Sequence, residues 1–171
     1  MKEVFAVQKE ICQAIATSLR VQLGAAPENF LARRYTSDPE VYELYLHGRT
    51  EAAKRNTTGV TRSRELFEHA LRLDPGYAPA LAGLAQTLIL SVMYELLPAE
   101  EGVPKARDAA RQAIRFDPEL ADAYAALAWV SAWYDWDQQA AESQFQLSLD
   151  RPGSVTPRQM VCFVSVCFGT P

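Results

Sequence analysis

Few side chains in this sequence are of the kinds that make and break bonds. His47 and His69 are its two histidines; the first precedes Gly48 and the second follows Glu68. Neither belongs to a recognisable acid–base–nucleophile spacing, so both read as solvent-facing or packing residues. Cys12, Cys162 and Cys167 form an odd set with no CxxC pair. That argues against a disulfide framework or a zinc site. None of them has a histidine near it in sequence to hold it as a reactive thiolate. The adjacent Glu100 and Glu101 fall in an expected loop, where two carboxylates are solvated rather than poised as general acid and base. A phosphate-cradling GxxxxGK[ST] loop, a GxSxG elbow, an HExxH pair and a dinucleotide-binding glycine fingerprint are all missing. The expectation is therefore no catalytic residue, no cofactor and no metal, which leaves binding as the chemistry to look for.

Charge narrows the choice of partner. The chain has 171 residues and a formal net charge of −4. Cations and anions alternate along most of it, so no basic face for direct nucleic-acid binding is expected. The start "MKEVFAVQKEICQAIATSLR" has no continuous apolar core and carries Glu3, Lys9 and Glu10, unlike a signal peptide or a membrane span. A cytoplasmic location without membrane association is the expectation.

Binding residues need elements to position them, and the elements announce themselves as a repeat. "ALRLDPGYAPALAGLA" at 70–85 returns as "AIRFDPELADAYAALA" at 113–128, and a blurred third copy ends in "SLDRPG" at 148–153. Proline inside a helix costs about 3 kcal/mol, so Asp74-Pro75 and Asp117-Pro118 are expected to be corners between helices. Upstream, apolar residues from Val4 to Leu23 recur with a spacing near 3.6, which predicts an amphipathic helix ended by Gly24. Asp38, Pro39 and Glu40 open another helix that runs to about Arg55. "NTTGVT" is expected to break it before "RSRELFEHALRL". A second pair is expected over 77–94 and 104–116, separated by a long loop at 95–104. A third follows over 119–134 and 138–150. All of this is helix, with short antiparallel connections.

Within the second helix of each pair, small and bulky residues recur at i, i+4 and i+7: Ser63, Phe67 and Ala70; Ala106, Ala110 and Ala113; Ala141, Phe145 and Ser148. Leu84-Ala85 and Leu127-Ala128 occupy matching places in the first helices. These residues resemble the tetratricopeptide repeat. The resemblance implies an all-α fold, a right-handed α-solenoid of antiparallel helix hairpins. "VFAVQKEICQAIATSL", "TSDPEVYELYLHGR" and "WYDWDQQAAESQF" are further similar to the repeats that follow a TolB-like segment in large bacterial regulators. Those regulators carry winged-helix, serine/threonine kinase or nucleotide cyclase domains. The resemblance divides the chain into residues 1–24, an N-terminal helix ending a TolB-like segment; 25–37, a linker; 38–153, three imperfect hairpins; and 154–171, a divergent apolar tail.

Such an array binds a peptide or partner helix on the concave face made by the first helix of each hairpin. Registering the hairpins on Gly48, Ala85 and Ala128 puts Tyr45, Arg49, Gln86, Ile89, Trp129 and Trp133 on that face. Trp129 and Trp133, four apart, would form one aromatic anchor, or else pack against the neighbouring C-terminal segment. Ala82, Gln86, Ala125 and Trp129 stand where one subclass of the family holds a C-terminal carboxylate with Lys, Asn and Arg, which argues against that specificity. The tail "MVCFVSVCF" fits no repeat position. It would cover the last hairpin or mediate self-association through residues 160–168. The reading that results is a protein-interaction scaffold, part of a bacterial signalling or transcriptional regulator. The alternative is a fragment of a regulator whose DNA-binding, kinase or cyclase activity lies outside this chain.

Overall fold

Helix α1 (Pro39–Ala53) opens where its capping chemistry directs. In a computed structural model of the chain, which describes Thr36 and residues 38–151, the Asp38 carboxylate accepts the Glu40 amide at 2.9 Å and Pro39 takes the first helical position. An acid at the N-cap with a proline beside it satisfies one orphan amide and dispenses with another.

Helix α2 (Thr57–Leu73) starts earlier than the sequence suggests. Asn56 caps it, accepting the Gly59 amide at 2.7 Å, so the "NTTGVT" stretch is its first turn rather than a break. Gly59 is there for closeness: a Cβ on it would lie 2.5 Å from the Glu51 carbonyl oxygen. Helix α3 spans Ala78–Met93 and α4 spans Ala99–Phe116. The loop expected at 95–104 is shorter than its composition implied, because α4 begins at Ala99 and carries Pro104 inside it. Pro104 is exposed and close to the helix start, where its missing N–H removes one bond without a buried cost. Gly102 lets this turn close on α3, since any Cβ there would run into Val92 and Leu97.

Helix α5 (Ala121–Val130) continues into a π-helical turn, Ser131–Asp135, and α6 (Gln138–Leu149) follows. Asp137 caps α6 by accepting the Ala140 amide at 3.0 Å. The six helices leave no strand among the described residues. None of these helices is long and apolar enough to cross a membrane.

Both Asp-Pro sequences are corners, built alike. Asp74 and Asp117 end α2 and α4, donating their amides to Ala70 and Ala113 carbonyls at 2.9 and 2.8 Å. Their carboxylates accept the Gly76 and Glu119 amides at 3.1 and 3.0 Å. That is the local side-chain turn that aspartate offers, and the proline between prevents the helix from running on.

Helices α1 and α2, α3 and α4, and α5 and α6 pack as consecutive pairs; α2 also packs on α3, and α4 on α5. The first helices of neighbouring pairs touch as well, α1 with α3 and α3 with α5. Phe67 is the joint of the first two pairs. A Cβ added to Gly48 would come within 2.7 Å of its ring, and one on Gly83 within 2.6 Å. The ring is 1% exposed and packs with Val41, Ala70, Tyr77 and Ala80. In the second pair, Ala106, Ala110 and Ala113 are all buried. The alanines let α4 lie close against its neighbours where α2 needs a ring and two glycines. The segments 1–24 and 154–171, with Cys12, Cys162, Cys167 and the 160–168 stretch, lie outside the described residues.

Candidate functional site

The first helices of the three pairs bring part of the expected face together. A cleft of about 160 Å³ is walled by Tyr45, Arg49 and Ala53 of α1, by Gly83, Gln86 and Leu90 of α3, and by Asp122 of α5, with Arg55 at its end. Tyr45 reaches it because the α1 stripe turns its ring inward, edge-on to Tyr77 at 5.5 Å and tilted against Phe67 at 6.1 Å between centroids. The Arg49 guanidinium lies 5.8 Å from the Tyr45 ring centroid, at the outer range of a cation–π contact.

Burial pushes the Tyr45 phenol above its ordinary pKa. The charge of Arg49 and a hydrogen bond from it pull the other way, and Asp122 raises it further. Arg49 and Asp122 thus act on the phenol in opposite senses, with burial the larger effect. Gln86 Nε2 donates to the Asp122 backbone carbonyl over a long 3.5 Å, linking α3 to α5 across the cleft. Tyr94 donates its hydroxyl to the Arg55 carbonyl at 2.8 Å, tying the inner turn of the first pair to the end of α3. The cleft therefore offers a cationic side, an anionic side and an apolar floor of Phe67 and Leu90. That combination suits a polypeptide segment with polar groups at intervals better than a small apolar ligand.

Tyr45, Arg49 and Gln86 meet there. Ile89 does not: it is 4% exposed, packed with Leu88, Val103, Ala106, Ala126 and Val130. The physical reason is its place on α3, the middle first helix, which has neighbours on several sides and buries ten of its sixteen residues. Leu90 takes the cleft position instead, four residues beyond Gln86 as Trp133 is four beyond Trp129.

Trp129 and Trp133 stack on each other with centroids 5.4 Å apart and planes 18° from parallel. Trp129 also packs against the central core, while Trp133 is 38% exposed. The pair is not among the residues that wall the cleft. Asp122 and Arg55 were missed by sequence reasoning. Asp122 stands 43 residues after Pro79, which also lines the cleft, but the same step carries Gln86 to Trp129, which does not, so the repeat alone gave no signal for it. No group of three or more His, Cys, Asp or Glu side chains able to hold a metal occurs among the described residues.

No protein-family model matches the chain. Over 85 residues, 50% of this chain, it is 34% identical to a protein of Rhizobium meliloti (strain 1021) named "Putative adenylate cyclase 3". The chain spans 14% of that protein's length. The likeness is thus to a small part of a much longer protein.

Proposed function

We propose that residues 38–151 are three tetratricopeptide-like hairpins stacked as a solenoid, and that they serve as a protein-interaction module of a bacterial signalling regulator. The cleft between α1, α3 and α5 carries this reading. It is bounded by first helices of successive pairs, and Tyr45, Arg49, Gln86 and Asp122 present donors, acceptors and both signs of charge along it. The repeated Asp-Pro corners support the stacking, because both junctions between pairs turn in the same way, and the Gly48–Phe67–Gly83 joint supports it at the first of them. A polypeptide partner lying across the cleft would take an acidic group at Arg49 and Arg55 and a donor at Asp122.

The partial likeness to a protein named for adenylate cyclase favours a second reading. In it, this module belongs to a longer regulator and an activity such as nucleotide cyclisation is carried outside the present residues. The two readings share a cleft and differ in what it is attached to.

The test uses the purified chain as bait for a random-peptide display library. Recovered peptides are expected to bind Arg49→Ala at least about tenfold more weakly, the loss that a buried arginine contact commonly carries, with an unchanged melting temperature. Equal binding by Arg49→Ala would move the site elsewhere, and recovery of no peptide would remove the interaction reading. Production of cyclic AMP from ATP by the purified chain would overturn the non-catalytic assignment of these helices.

A further inference from the structure

Thr57 and Thr58 open α2 with exposed hydroxyls that make no hydrogen bond among the described residues. Every other serine and threonine among those residues has its hydroxyl in a hydrogen bond. The other pairs differ at this place: α4 opens on Ala99-Glu100-Glu101 and α6 on Gln138-Gln139-Ala140. The acid that favours a helix N-terminus is present in the first turn of α4 and missing from that of α2. Packing does not call for two β-branched residues at an exposed helix start, and they lower the helix propensity there.

The residues before Thr57 are basic. Lys54 and Arg55 stand three and two places ahead of it, both exposed, and Asn56 between them and the threonine is extended at φ −134° and ψ 165°. Lys54 is shared with Glu51 at 2.7 Å, whereas no carboxylate pairs with Arg55 among the described residues. A free acceptor hydroxyl, an extended residue before it and cations two and three places earlier suit a protein kinase whose substrate groove is acidic. The same charge pattern precedes Thr36 as Arg33-Arg34-Tyr35. That hydroxyl oxygen, however, is partly buried and accepts the Asp38 amide at 3.2 Å.

Arg55 joins this turn to the cleft. It lines the cleft's end, and Tyr94 of the second pair holds its carbonyl at 2.8 Å. A phosphate two residues further on carries about −1.5 to −2 charges and three strong acceptor oxygens. It would draw the Arg55 guanidinium to itself and repel an acidic segment.

We propose that Thr57 is a phosphate acceptor for such a kinase, and that its phosphate weakens the cleft's hold on acidic polypeptides. In the transfer, Thr57 Oγ1 bonds the γ-phosphorus of a nucleoside triphosphate and the bond from that phosphorus to the bridging oxygen breaks. The diphosphate leaves, and the hydroxyl proton passes to the kinase's base. The effect on the cleft rests on the function proposed above; the acceptor does not.

The full chain is incubated with a purified kinase that prefers basic residues before its acceptor, and with ATP labelled at the γ-phosphate. Label is expected on Thr57, kept in Thr57→Ser and lost in Thr57→Val. With Lys54→Gln and Arg55→Gln together it should enter about tenfold more slowly, at an unchanged melting temperature. Absence of label, label confined to Thr36 or Thr58, or an equal rate without the two cations would overturn the acceptor. A short glutamate-rich peptide then reports on the cleft. The phosphorylated chain is expected to bind it about fivefold more weakly than the unmodified chain. Equal binding by both forms, each weakened by Arg49→Ala, would overturn the regulation and leave the cleft standing. Binding by neither form would overturn the acidic-partner reading of the cleft and the regulation with it.

Discussion

Adding one methyl group at Gly83 tests the joint between the first two helix pairs more severely than any truncation. In an ordinary helix interior, Gly→Ala stabilises by about 1 kcal/mol, because alanine has less backbone freedom to lose. Here the new Cβ would sit 2.6 Å from Phe67 Cζ and 2.8–2.9 Å from Cε1 and Cε2, where ordinary contacts begin at 3.4 Å. The ring would have to retreat by about 0.8 Å in a core as tightly packed as a crystal. It has nowhere to go, since Gly48 already approaches it so closely that a Cβ there would be 2.7 Å from Cε1. Overpacking of this kind costs roughly 1–3 kcal/mol, which outweighs the helix-propensity gain. Gly83→Ala should therefore destabilise by about 1 kcal/mol net, read as a lower midpoint in urea with an unchanged slope. In a Phe67→Leu background the collision disappears, and the same substitution should become neutral or stabilising. The cycle should give a coupling of about 1–2 kcal/mol, in the range of residues in direct contact. A Gly83→Ala variant more stable than wild type, with no coupling to Phe67→Leu, would refute the confined ring.

Ala106→Leu and Ala113→Leu should each cost roughly 1–3 kcal/mol, because both alanines are buried in the second pair; wild-type melts would mean that α4 presents another face. Tyr45 makes a pH prediction whose sign follows from its raised pKa. The folded state holds the phenol proton more tightly than the unfolded state, so this contribution is fully present below about pH 10 and is lost as pH rises past it. Tyr45→Phe should flatten the alkaline fall in melting temperature, and superimposable curves above pH 10 would show that the phenol is solvated.

The corners were legible because their cause is local. Proline after aspartate cannot continue a helix, and the aspartate carboxylate is within reach of the amide two residues on, so Asp74 and Asp117 had little alternative. The start of α4 was not legible, because Pro104 carries the same local signal and the wrong conclusion follows from it. Near a helix start, proline removes a bond that water can replace. What holds residues 99–104 in the helix is tertiary: Gly102 closing on Val92 and Leu97. The π-helical turn at 131–135 had no signature at all. It is completed from outside its own sequence, by Arg107 reaching Asp135 and by Ser131 donating to Gln144 at 3.2 Å.

Legibility of the cleft followed how many neighbours each helix has. Tyr45 and Arg49 lie on α1, which buries only Val41 and Gly48, so spacing alone could assign its faces. Ile89 lies on α3, where apolar residues run almost all the way round, and periodicity cannot say which one faces the cleft. Helical geometry cannot either: Ile89 and Leu90 stand three and four residues beyond Gln86 and both share its face, and it is the packing of Ile89 against Val103, Ala106 and Val130 that leaves Leu90 to the cleft. The inner turns hide for the opposite reason. Arg55, Glu95 and Trp136 hold one backbone conformation with three unlike side chains, none of them the glycine or asparagine that would have marked the turn. Conformation is repeated there while chemistry is not, so each turn can display a different group at the same place in its pair. A repeat that fixes the backbone at its corners with aspartate and proline is free to vary what its opposite turns present.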